Sequence, residues 1–235
     1  MLELDRLVIT QDDFRLTADF TVPPGARIAV VGPSGAGKST LLSVISGFFP
    51  PESGRLRWNG QDITDAPPGA RPLSILFQDQ NLFPHLTVAG NVGLGLRADL
   101  RLTAGDRERV AVALARTGLQ GLEDRRPGTL SGGQQSRVAL ARVLLRARPL
   151  MLLDEPFAAL GPALKDEMLG LVAEIAGETG ATVLMVSHDP DDALRFSGQT
   201  VLVADGVAHA PRPTAALFAD PPAELSAYLG RPRAR

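Results

Sequence analysis

The apolar positions of this chain follow two rhythms. Arg27 to Val31 is a short apolar run that ends in a glycine, and from Lys38 to Phe48 the spacing becomes helical. A buried strand, a loop and a helix in that order are the βα opening of an α/β fold. Leu150 to Leu153 and Thr182 to Val186 are apolar throughout, the pattern of central parallel strands covered on both faces. Asn59-Gly60 within Arg55 to Ile63 predicts a hairpin, and Asp205-Gly206 within Val201 to Ala208 predicts a second. Between Leu82 and Gly128 the strand signals fade. Leu100 to Leu122 has helical spacing instead, with Arg107, Glu108 and Arg116 on one side and Val110, Leu114 and Leu119 on the other. This predicts a helical lobe, about 80 to 140, inserted into the α/β core. No internal repeat or low-complexity linker interrupts the pattern.

Composition narrows the picture. At 235 residues the chain fits one large domain with room for a real core. Apolar residues make up 44 % and charged residues 21 %, an ordinary globular balance that argues against disorder. A net charge of −2 gives no nucleic-acid footprint. Cysteine is absent, which excludes disulfides, thiol catalysis and Cys-based metal sites. The N-terminus lacks a basic-then-apolar signal pattern, and no apolar run approaches the ~20 residues that span a bilayer. Any membrane role is expected to come through a partner. The basic tail Arg231-Pro232-Arg233-Ala234-Arg235 reads as a solvated end.

Chemistry begins at Gly32-Pro33-Ser34-Gly35-Ala36-Gly37-Lys38-Ser39, which matches G-x-x-x-x-G-K-[ST] without a gap. The glycines let the backbone curl so that N–H groups point at phosphate oxygens. Lys38 supplies charge to the β- and γ-phosphates and Ser39 a hydroxyl to Mg²⁺, while Thr40, Leu41 and Leu42 continue into the helix the motif needs. Leu150-Met151-Leu152-Leu153-Asp154-Glu155 places two carboxylates at the end of a buried strand, where open α/β sheets bind ligands. Asp154 is placed to hold Mg²⁺ through its water shell, and Glu155 to orient or polarise an attacking water. A second glycine-rich stretch, Leu130-Ser131-Gly132-Gly133-Gln134, precedes the helical run Arg137 to Arg142. It offers a second set of N–H groups, at a second helix N-terminus, to a second phosphate. One chain cannot easily fold both loops onto one nucleotide, whereas two copies head to tail can.

The phosphate loop, the acidic strand end and the LSGGQ stretch together resemble the ATP-binding cassette family over nearly the whole chain. The resemblance implies an α/β fold with a P-loop NTPase (RecA-like) core, an antiparallel β subdomain and the inserted helical lobe. It implies one cassette domain over 1–235, with a core of about 1–79 and 141–235 and a lobe of about 80–140. His188, at the end of Thr182 to Ser187, matches the switch histidine that contacts the γ-phosphate. Gln78, after Leu76-Phe77, matches the glutamine that senses Mg²⁺ and water where core and lobe join. Ser131, Gly132 and Gly133 would donate to the γ-phosphate of the opposite subunit, with Gln134 closing the signature. ATP and Mg²⁺ are the implied cofactors, and ATP bridging two subunits would drive closure while hydrolysis permits opening. His85 and His209 have no such context.

Three departures stand out. The family carries Ser-Ala-Leu-Asp after the proline, and this chain has Ala158-Ala159-Leu160-Gly161, losing an aspartate that bridges to the partner's phosphate loop. Gln135-Ser136 replaces Arg-Gln. Gln11 stands near the position of the adenine-stacking aromatic, and Phe14 is the only aromatic close by.

Phe77 to Val88 resembles bacterial importers, in which this region receives a coupling helix from the membrane subunit; Phe83, Pro84 and Leu86 would form part of that groove. Gly93-Leu94-Gly95-Leu96, the segments 67–72, 162–169 and 202–206, and the short ending are most similar to ATP-binding subunits of thiamine importers. The implied assembly is a homodimer, peripheral on the cytoplasmic face of the inner membrane, with permease subunits and, indirectly, a periplasmic substrate-binding protein, and no nucleic acid. Other cargoes (ferric iron, sulfate, polyamine) and a soluble non-transport cassette remain open at this stage.

Overall fold

The computed structural model describes residues 1–79, 81–158 and 160–230; Gln80, Ala159 and the basic tail lie outside the described residues. Strands β1 (Leu2–Gln11) and β2 (Phe14–Val22) pair antiparallel. Along β1 the buried set is Leu2, Leu4, Leu7 and Ile9, so the inward phase changes at Arg6, which has φ 46°. The register shift between Leu4 and Leu7 marks a bulge there. Strand β3 (Arg27–Val31) leads through the phosphate loop into helix α1 (Lys38–Ser46). Helix α1 stops two residues before the expected Phe48, because Gly47 turns left-handed at φ 86° and returns its N–H to Ser43 and Val44. Buried Arg71 caps the same helix end. Its guanidinium donates to the carbonyls of Val44, Ile45, Ala66 and Thr64.

The first expected hairpin is β4 (Ser53–Trp58) and β5 (Gln61–Asp62), with Asn59 and Gly60 both left-handed. After β6 (Leu73–Leu76) come the lobe helices α2 (Val88–Gly93), α3 (Ala104–Arg116) and α4 (Gly132–Arg146). The helix expected over Leu100 to Leu122 is shorter at both ends. Leu100 is left-handed, Thr103 and Asp106 close a capping box at the start, and left-handed Gly118 follows the end. Val88, Val92, Val110, Leu114, Leu119, Leu130 and Val138 bury one another between these helices.

Strands β7 (Leu150–Asp154) and β8 (Thr182–Val186) are buried throughout, separated by α5 (Pro162–Thr179). Helix α6 (Pro190–Phe196) leads to the second hairpin, β9 (Gln199–Ala204) and β10 (Val207–Ala208). The short β11 (Arg212–Pro213), α7 (Thr214–Ala219) and α8 (Ala223–Tyr228) follow. The strands form one 11-stranded sheet in the order β5-β4-β1-β2-β10-β9-β3-β8-β7-β6, with β11 beside β9. Its β9-β3-β8-β7-β6 half is parallel and carries the phosphate loop; its β5-β4-β1-β2 half is the expected antiparallel arm. Among the described residues no helix is long and apolar enough to cross a membrane.

Candidate functional site

The carboxyl ends of adjacent parallel strands bring the candidate residues together. The phosphate loop leaves β3, Asp154 ends β7, Gln78 follows β6 and His188 follows β8. A cleft of about 650 Å³ is lined by the phosphate loop with Gln78, Glu155 and His188, and also by Gln11, Phe14 and Tyr228. Gly32 has no room for a side chain: at φ 149° an added Cβ would sit 2.0 Å from the Val203 carbonyl oxygen. Gly37 is the left-handed N-cap of α1, and an added Cβ would lie 2.3 Å from the Phe14 ring. The phosphate loop is thus packed from below by β9 and from the side by Phe14.

Lys38 is buried, and its ammonium donates to the carbonyls of Gly32 and Pro33 at 2.9 and 2.8 Å. Burial pulls its pKa down, while the charges of Glu155 and Asp154 oppose that shift. Ser39 Oγ donates to Asp154 Oδ1 at 3.0 Å. Asp154 is buried, and burial raises its pKa; the Ser39 hydrogen bond lowers it, the Glu155 charge raises it further and Lys38 lowers it. A hydroxyl and a carboxylate so close together are hard oxygen donors of the kind Mg²⁺ takes while keeping most of its water. These residues fit the ion.

Glu155 has φ 46°, an uncommon conformation for a non-glycine residue, held by its N–H donating to the Val186 carbonyl at 3.1 Å. Its Oε2 lies 3.3 Å from His188 Nδ1, so a carboxylate and an imidazole face the same cleft. The loop bearing His188 is braced: Ser187 Oγ donates to Asp192 Oδ2 at 2.5 Å, and Lys165 of α5 reaches Asp189 and Asp192 at 2.7 and 2.9 Å.

The glycine-rich signature lies elsewhere. Ser131 is the N-cap of α4 in a capping box with Gln134: the Ser131 N–H donates to Gln134 Oε1 at 2.9 Å and the Gln134 N–H to Ser131 Oγ at 3.3 Å. Neither these residues nor Gly132 and Gly133 line the cleft that holds Lys38. Within one chain the two glycine-rich elements do not meet, and the Gln134 side chain is engaged in capping the helix.

Residues 16–158 match the ABC transporter family. The chain belongs to that family. This ABC ATPase is 67 % identical over 230 residues to the thiamine import ATP-binding protein ThiQ of Cereibacter sphaeroides, covering 98 % of this chain and all of that protein. It is 55 % identical over 230 residues to the protein of the same name from a Ruegeria species, again with 98 % and full coverage. Its fold matches a dimeric ATP-binding cassette in a post-hydrolysis state bound to ADP and Pi, with TM-score 0.81 and 28 % identity over 91 % of this chain and 99 % of that one. Another dimeric structure of that same cassette, described as a bacterial ABC transporter cassette, matches with the same TM-score and coverage at 29 % identity.

Motif reading did not find Tyr228 or the Lys165 brace. Neither belongs to a phosphate or acid pattern, and both reach the site only through packing of the C-terminal third of the chain. Gln11, near the position of the adenine-stacking aromatic, and Phe14, the aromatic close by, both line the cleft.

Proposed function

We propose that this chain is the ATP-hydrolysing subunit of a bacterial thiamine importer, working as a homodimer on the cytoplasmic face of the membrane. The observation that carries the ATPase reading is the convergence of Lys38, Ser39, Glu155 and His188 on one cleft, with Asp154 hydrogen-bonded to Ser39 beneath it, while Ser131 to Gln134 stay outside. A second copy, head to tail, would bring its signature N–H groups to that cleft, as the dimeric cassettes of like fold make reasonable. The cargo rests on the names of full-length relatives; no residue of this chain is asked to touch thiamine.

In this reading the loop N–H groups of Ser34 to Thr40 and the Lys38 ammonium bind the nucleotide phosphates, and Phe14 or Gln11 borders the base. Ser39 and Asp154, with Gln78 nearby, would hold Mg²⁺, which when bound offsets phosphate charge. Glu155 accepts a proton from, or orients, the water that attacks the γ-phosphate. His188, beside Glu155, contacts the γ-phosphate and keeps the carboxylate aimed. Loss of the γ-phosphate removes the bridge between the copies, and the dimer opens.

An apolar groove of about 390 Å³ lies between core and lobe, lined by Phe48, Phe77, Phe83 and Leu94 with Arg142 and Arg146 among its walls. Phe48 and Phe83 are 56 % and 45 % exposed, which is unusual for such large apolar side chains. This groove is the seat we assign to a cytoplasmic helix of the permease, which in turn serves a periplasmic substrate-binding protein. Phe83 lines it as the sequence suggested; Pro84 and Leu86 do not.

Glu155→Gln keeps the shape of the side chain and removes the base. The purified variant should bind ATP while its turnover falls about 100-fold or more. Wild-type turnover in Glu155→Gln would remove the role given to this residue.

A further inference from the structure

We propose that Tyr228 is a positioning residue for the switch histidine, tying the C-terminal helix of the cassette to the point where the γ-phosphate is sensed. Tyr228 is the only tyrosine of the chain and the last residue of α8. Its hydroxyl donates to the main-chain carbonyl of His188, across 40 residues of sequence. Its ring packs against the apolar cluster of Val31, Leu202, Leu217, Phe218 and Leu225, between α7, α8 and the core strands. One end of the side chain is thus anchored in the core. The other holds the carbonyl of a residue whose imidazole faces Glu155, and the phenol itself lines the nucleotide cleft.

The rest of that loop is fastened by separate contacts. Lys165, Ser187, Asp189 and Asp192 form a network that fixes the segment after His188 to α5 and α6. His188 itself is more than half exposed, with 57 % of its side chain open to solvent, so its aim depends on where its backbone is held. Tyr228 supplies a hold directly on the His188 residue. Burial, together with the charges of Glu155 and Asp189, raises the phenol pKa above its ordinary value, so the hydroxyl stays a donor throughout the neutral range.

This inference rests on the reading of His188 as the γ-phosphate contact, and two variants separate the two claims. Tyr228→Phe retains the anchored ring and loses only the hydroxyl. Its kcat for ATP should fall about three- to tenfold, the value of one hydrogen bond, with KM for ATP within about twofold. In a His188→Ala background, where residual turnover is followed under single-turnover conditions, the same change should have no further effect, because the two residues act through one contact. An unchanged kcat in Tyr228→Phe, or an equal loss in both backgrounds, overturns the positioning role while leaving His188 intact. Wild-type hydrolysis in His188→Ala instead overturns the role of His188 and this inference with it.

Discussion

At the scale of single residues, the clearest departure from the family pattern is Gly161. It is the N-cap of α5 with an extended backbone, φ −67° and ψ 157°, and no side-chain cap. An added Cβ there meets nothing within 4 Å. Gly161→Asp therefore introduces the family's aspartate without strain and supplies a better N-cap, stabilising α5 by about a few tenths of a kcal/mol. In the assembled transporter it should raise ATPase activity or its cooperativity in ATP, if the restored carboxylate bridges to the partner's phosphate loop as the family resemblance implies. Unchanged kinetics in the assembled complex would count against that role.

Residues with a fixed spacing rule were legible from sequence. The phosphate loop, Asp154 and Glu155 each follow from local backbone chemistry, and the fold brings them to one strand edge. Gln78 and His188 carry no such rule; they were named from resemblance, and packing of β6 and β8 on either side of β7 is what delivers them. Tyr228 was not legible, since its partner is a main-chain carbonyl on another element. Arg71 was hidden for the same reason. Its charge serves four carbonyls around the end of α1, a buried arrangement in which each hydrogen bond from a charged donor contributes about 1.5–3 kcal/mol in isolation.

At the scale of elements, the hairpins and central strands were readable because Asn-Gly, Asp-Gly and unbroken apolar runs have few structural solutions. Strand β1 was not, because the bulge at Arg6 shifts its alternation by one residue and erases the period. Helix α3 was overextended because Leu102 and Leu119 keep the helical spacing while packing on the lobe from loops. Its true start is set by Asp106, whose pKa falls to about 2 through the Thr103 backbone N–H, then Arg97 and the Thr103 hydroxyl. A depressed carboxylate stabilises the fold above its unfolded value of 3.8, and that contribution is lost as the pH falls towards 2. Urea midpoints of Asp106→Asn and wild type should accordingly differ at pH 6 and converge as the pH approaches 2. A gap that stays constant with pH would show that the charge of Asp106 has no part in the cap.

At the scale of the whole molecule, the sheet's parallel half holds the nucleotide cleft and the lobe carries the signature. The two are joined by the shared helix packing of α4 and by Arg116, which bridges from α3 to Glu174 and Glu178 of α5. These ion pairs are exposed and contribute little each. The groove beside Phe83 lies at the same junction, where α4 contributes Arg142, Val143 and Arg146. The groove was legible only in part: Phe83 lines it as the resemblance implies, whereas Phe48 and Leu94 come to it from other segments and carry no local signal of it.

Hydrolysis at Glu155 is proposed to drive thiamine import. The most direct measurement is uptake of labelled thiamine by cells whose only copy of this chain carries Glu155→Gln, beside cells with wild type at equal expression. Uptake should fall to background in the variant. Normal uptake in the variant would contradict that role.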